Sequence, residues 1–131
     1  MRVFGKAGKT CMRIWLFIAA LMGGLAVILG AFAAHGLNFG PGAREIYETG
    51  ARYHMYHALA MGLCAFAMRG EATVKAKTAA ILFLAGIVLF SGSLYLLALT
   101  GSRALGFVTP LGGLAFIAGW VLLALAALKL P

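Results

Sequence analysis

The sequence predicts an all-α, polytopic membrane protein: an antiparallel bundle of four transmembrane helices with both termini on the cytoplasmic side. Three observations carry this. First, 63% of the 131 residues are hydrophobic and 11% are charged, against about 45–50% apolar and about 25% charged in a soluble domain. Second, four stretches approach the roughly 20 apolar residues needed to cross a hydrocarbon core of about 30 Å. Third, the net charge of +8 is distributed unevenly between the loops.

Span one is Ile14–His35, preceded by a basic tail over residues 1–13. Its apolar run exceeds the 7–15 residues of a signal-peptide core, so it reads as a membrane span despite the cleavage-like Ala31-Phe32-Ala33. Small residues recur along it: Ala26, Gly30 and Ala34 at every fourth position, with Ala20 and Gly24 on a neighbouring face. Lipid tails give helices no hydrophobic reason to associate, so such positions are where backbones approach closely. The segment Asn38-Phe39-Gly40-Pro41-Gly42 is loop punctuation.

A helix of about 25 residues is expected from Ala43, with its membrane span from about Tyr53 to Met68. Glu48 and Arg52 are spaced for an ion pair on its exposed first turns, with Glu45 on the same face. Span three is Thr78–Leu99 and span four Phe107–Leu128, joined by the short turn Thr100–Gly106. Gly86 and Gly92 in span three, and Gly112, Gly113 and Gly119 in span four, complete the expected packing surface with Gly24, Ala26, Gly30 and Ala34. Residues 14–131 thus form one left-handed bundle with no room for a second domain.

Orientation follows from the cations. Arg2, Lys6, Lys9 and Arg13 precede span one, Arg69, Lys75 and Lys77 lie between spans two and three, and Lys129 follows span four. Only Arg44, Arg52 and Arg103 fall on the other side. The positive-inside rule therefore places both termini in the cytoplasm of an inner (plasma) membrane. The basic tail faces anionic lipid headgroups, and nucleic acid is not an expected partner. Cys11 and Cys64 have neither disulfide context nor zinc-ligand spacing.

This topology sorts the uncommon residues by depth. His35 ends span one, Arg52, Tyr53, His54, Tyr56 and His57 open span two, Ser91, Ser93 and Tyr95 lie late in span three, and Thr109 and Pro110 open span four. All share the outer half of the bilayer, while the cytoplasmic half is nearly all aliphatic. An interfacial belt, with rings buried and hydroxyls wet, accounts for this pattern. So does an outward-facing polar pocket built from His35, Arg52, Tyr53, Tyr56, His57, Ser91, Ser93, Tyr95 and Thr109. Tyr53 and His57 share a helix face, while His54 points elsewhere.

No metal or other cofactor is expected. His54 and His57 are close enough in sequence to share an ion with His35, but no carboxylate or thiol completes the sphere. The three carboxylates, Glu45, Glu48 and Glu71, all lie outside the spans. A proton-coupled exporter of this size would carry one inside, and no nucleophile–base–acid set can form within the membrane. No catalytic residue is assigned.

Four segments, "GAFAAHGL" (30–37), "TGARYHMYHALA" (49–60), "GIVLFSGSLYLLALTG" (86–101) and "TPLGGLAFIAGW" (109–120), resemble in order the motifs of the family called domain of unknown function 423. These are small bacterial inner-membrane proteins similar to transmembrane protein 256 of animals. His54 stands where the family pattern has a glutamine, and Ala33 where it has a glycine. The resemblance implies four spans and membrane location, but no mechanism. It marks His35, Arg52, Tyr53, Tyr56, His57, Ser91, Ser93, Tyr95, Thr109 and Pro110 as motif positions.

Two readings follow. One is an interaction or assembly subunit without catalytic activity, working in a larger membrane complex or a homo-oligomer. The other is a small-molecule or ion binding protein that uses the outer-half pocket.

Overall fold

The computed structural model describes residues 6–131, so Arg2 of the basic tail lies outside the described residues. The described residues are predominantly helical: α1 (Lys6–His35), α2 (Ala43–Ala67), α3 (Thr73–Gly86), a π-helical segment (Ile87–Ser91), α4 (Gly92–Thr100) and α5 (Thr109–Ala127). Short 3-10 turns at Gly70–Ala72 and Arg103–Phe107 join the elements. α3, the π segment and α4 run on from one another, so the third expected span is one rod with a wide turn in its middle. α1 begins at Lys6, which makes the described part of the basic tail a helical extension of span one.

α2 begins at Ala43, immediately after Gly42 takes a left-handed conformation (φ 75°) that a side chain would strain. Gly101 closes α4 in the same way, at φ 70°, its N–H donating to the Leu97 carbonyl at 2.8 Å. At the α1–α2 loop, Arg44 donates to the carbonyl of Ala33 in the last turn of α1. It also stacks over the Phe39 ring at 5.2 Å and pairs with Glu48 at 3.7 Å. Glu48 thus pairs backward with Arg44, where the sequence suggested Arg52. Arg44 is drawn there because the final carbonyls of α1 have no helical partner.

Among the described residues, three stretches are long and apolar enough to cross a membrane: Lys6–His35, Gly70–Thr100 and Arg103–Ala127. The remaining helix, α2, carries Arg44, Glu45, Glu48, Arg52, His54 and His57, which lower its hydropathy. It is nevertheless the centre of the bundle. α1 packs chiefly on α2, α5 packs on α3 and the π segment, and α2 touches every other long helix. The apolar core runs through Ala60, Met61, Cys64 and Met68 of the α2 region, Ala76, Ala79, Ala80 and Phe83 of α3, and Phe116 of α5.

The small residues divide in a way the sequence does not reveal. Gly86, Gly112 and Gly119 pack as expected. A Cβ on Gly119 would lie 2.7 Å from the Phe83 ring, and one on Gly112 would lie 2.8 Å from the Phe90 Cα. Gly86 is covered by the Phe116 ring, and Gly50, absent from the expected surface, by Tyr95, Leu94 and the Ser91 carbonyl. Gly92 and Gly113 have only ordinary neighbours at 3.9 Å.

On α1 the expected stripe is mostly turned away. Ala26 is buried, but a Cβ on Gly24 or Gly30 would meet nothing within 4 Å, and Ala34 is exposed. The buried line of α1 is Ala19, Ala26 and Ala33, seven residues apart. That spacing keeps one face of a helix against an antiparallel neighbour, and Gly24, Gly30 and Ala34 lie off it.

Candidate functional site

α2 brings its polar side chains to two separate seams. On the α5 side, the His57 ring lies flat on Phe116, with ring centres 3.4 Å apart and an angle of 6° between planes. Its Nδ1 is 2.7 Å from the Tyr53 carbonyl, and Trp120 Nε1–H donates to its Nε2 at 3.1 Å. A carbonyl only accepts and an indole N–H only donates, so these partners assign His57 the neutral tautomer with hydrogen on Nδ1. Both ring nitrogens are then occupied. Tyr53 adds its ring against Phe90 at 4.9 Å and shares the His57 face, as the i, i+4 spacing requires.

On the opposite side, toward α1 and α4, His54 Nδ1 is 3.0 Å from the Tyr95 hydroxyl. Tyr95 packs on Tyr47 with ring centres 4.8 Å apart, and the Tyr47 hydroxyl donates to the Leu29 carbonyl of α1 at 2.9 Å. This chain of contacts links three helices through buried His54 and Tyr47 and half-buried Tyr95. The His54 ring also lies against the Met22 backbone, but its Nε2 has no well-formed hydrogen bond. Ser91 Oγ, fully buried in the π segment one turn before Tyr95, likewise makes none. A third, smaller contact joins α4 to α5: Ser93 Oγ lies 2.6 Å from Thr109 Oγ1 and donates to the Phe90 carbonyl.

The candidate residues therefore do not line one chamber. Tyr53 and His57 belong to the α5 seam, Tyr95 to the α1–α4 seam, and Ser93 and Thr109 to the α4–α5 contact. Arg52 and Tyr56 are exposed on α2. His35 sits in a shallow depression with Ile28, Ala31, Phe32 and Gly36. Among the described residues His35, His54 and His57 do not come together as a group that could hold a metal ion.

Sequence reasoning missed Trp120, Phe116 and Tyr47, which complete the seams from other helices. Only the i, i+4 relation of Tyr53 and His57 was available as a signal. It also missed the π turn, which falls where Gly112 lets the α5 backbone approach Phe90. Such wide turns often accompany functional positions in helices.

The family model described as a protein of unknown function (DUF423) matches residues 29–113. A UPF0382 membrane protein of Bacillus subtilis, YwdK, is 46% identical over 121 residues, covering 90% of this chain and 98% of the relative. The UPF0382 inner membrane protein YgdD of Escherichia coli K12 is 42% identical over 120 residues, covering 90% and 92%. A Staphylococcus aureus UPF0382 membrane protein, SAB0533, is 40% identical over a similar span. No solved structure matches. The matched motifs, the all-helical fold and the apolar spans agree, and the chain is a membrane protein of the DUF423 family.

Proposed function

We propose that the protein is a non-catalytic accessory subunit of the bacterial inner membrane, with four spans and both termini cytoplasmic, that uses the lipid-facing side of α1 to bind another membrane helix. The observation that carries this reading is the orientation of α1's small residues. Gly30 and Ala34, four residues apart on one face, form the close-approach surface typical of membrane helix contacts, yet they are not used inside the bundle. The four-span topology is supported by α2's central position. Its two histidines, His54 and His57, face neighbouring helices, as intramembrane polar residues do, and its 25 residues give a length of about 38 Å. The cations at Lys6–Arg13, Arg69–Lys77 and Lys129 support the orientation. The commitment of both His57 nitrogens leaves that residue no free group for ligand or proton chemistry.

A photoreactive residue at position 30 or 34 tests the reading in intact cells, with exposed Leu114 of α5 as the control. The expected result is a protein adduct from the α1 positions and none from position 114. Absence of any protein adduct at 30 and 34 overturns it.

A second reading, a small polar ligand or ion held at the inner seam, draws on two buried atoms that make no well-formed hydrogen bond, His54 Nε2 and Ser91 Oγ. It requires that Tyr95→Phe abolish uptake or binding while leaving the fold intact.

A further inference from the structure

The α1–α2 groove runs along the basic half of the bundle. It is lined by Leu16, Ala20 and Val27 from α1 and by Leu59, Leu63 and Phe66 from α2, and its volume is about 430 Å³. Three glycines, Gly23, Gly24 and Gly62, keep it open: a Cβ at any of them would find nothing within 4 Å. At its cytoplasmic end, Leu16 and Ala20 also border a depression that contains Arg13 and Thr10. The greasy channel therefore opens directly beneath a cation.

We infer that this continuous surface is a binding site for one anionic phospholipid, its phosphate on Arg13 and Thr10 and one acyl chain in the groove. Length selects the occupant. From Leu16 to Val27 the groove extends eleven residues, about 16 Å at 1.5 Å per residue. One leaflet's hydrocarbon is about 15 Å deep, half of about 30 Å. An acyl chain descending from a headgroup at Arg13 matches the groove in length. The groove also leaves the outer positions Gly30 and Ala34 free for the protein contact proposed above.

The charges at this end favour an anion. Lys6, Lys9 and Arg13 of α1 and Lys75 and Lys77 of α3 lie at this end, with Glu71 as the one acidic side chain among the described residues there. Each cation near a membrane surface favours an anionic headgroup by about 1 kcal/mol, or about fivefold in affinity.

The test uses the full chain purified in mild detergent and given palmitoyl-oleoyl phosphatidylglycerol or phosphatidylcholine, with retained lipid counted by native mass spectrometry. Glycerol phosphate serves as the headgroup-only probe. The expected result is one retained phosphatidylglycerol, preferred over phosphatidylcholine, and no retained glycerol phosphate. Gly62→Leu, whose Cβ would meet nothing within 4 Å, puts its side chain into the groove from α2 and should release the lipid while helix content and Tm stay unchanged. Arg13→Gln should reduce the preference for phosphatidylglycerol about fivefold. Equal retention of both lipids, or undiminished retention by Gly62→Leu, overturns the inference. So does Gly62→Leu dissociating a protein oligomer instead of a lipid. If Gly62→Leu lowers Tm, Gly23→Leu repeats the test from the other wall.

Discussion

Replacing His57 with phenylalanine separates the two things this residue does. The ring stack on Phe116, at 3.4 Å, survives the change because shape and aromaticity are kept. The acceptor for Trp120 Nε1–H disappears. Trp120 lies eleven residues into α5, about 16 Å from its start, close to mid-depth in a core of about 30 Å. Water cannot replace the lost partner there. Trp120 is 44% exposed on the surface of the bundle, and an unsatisfied donor kept from water by lipid costs about 1–3 kcal/mol. Side-chain hydrogen bonds measured within membrane proteins average about 0.6 and reach about 1.7 kcal/mol, since the unfolded state in lipid also finds partners. His57→Phe is therefore expected to destabilise by about 1–2 kcal/mol. Trp120→Phe in the same background removes the stranded donor and should recover much of that loss. Reversible unfolding in bicelles, run as a double-mutant cycle, reads the coupling directly. A coupling indistinguishable from zero, or a His57→Phe protein as stable as wild type, refutes the assignment of His57 as a structural acceptor.

Three other substitutions have defined outcomes. Gly112→Ala pushes a methyl group into the backbone at Phe90; it should cost roughly 2–4 kcal/mol as an overpacked core change, visible as a lowered Tm and loss of the α5 contact. Ser91→Ala deletes a fully buried hydroxyl that makes no hydrogen bond, so thermal unfolding in detergent should show it neutral or stabilising by up to about 1 kcal/mol. Arg44→Ala removes the cap on the Ala33 carbonyl, the stack on Phe39 and the pair with Glu48. Hydrogen exchange should then rise in the last turn of α1, with a stability loss of about 1–2 kcal/mol.

The parts of this architecture legible in the sequence are those governed by local rules. Gly40-Pro41-Gly42 placed the start of α2 at Ala43, and the i, i+4 spacing put Tyr53 and His57 on one face with His54 turned away. Direction across the bundle was not legible. From Ile14 to Ala34 α1 is apolar on all sides, so no amphipathic stripe distinguishes Ala19, Ala26 and Ala33, which are buried, from Gly24, Gly30 and Ala34, which are not. In a soluble helix a polar face would have made that distinction. The partners of His57 and His54 were equally hidden, because Trp120 and Tyr95 lie 63 and 41 residues away on other helices. The common depth expected for the polar residues carried no information on which of them are neighbours. The π turn lacks any proline to announce it, and it appears only where α5 presses on Phe90.

The central claim is that α1 carries the working surface of this protein on its outer side. Native mass spectrometry of particles released from nanodiscs, comparing wild type with Gly30→Leu, tests it most directly. Gly30 has open space around it, so the substitution should leave Tm and helix content unchanged. The account predicts that the wild-type 13.7 kDa chain appears bound to a second membrane protein or a second copy, and that Gly30→Leu appears alone. A wild-type chain that appears alone, or an assembly that survives Gly30→Leu intact, contradicts it.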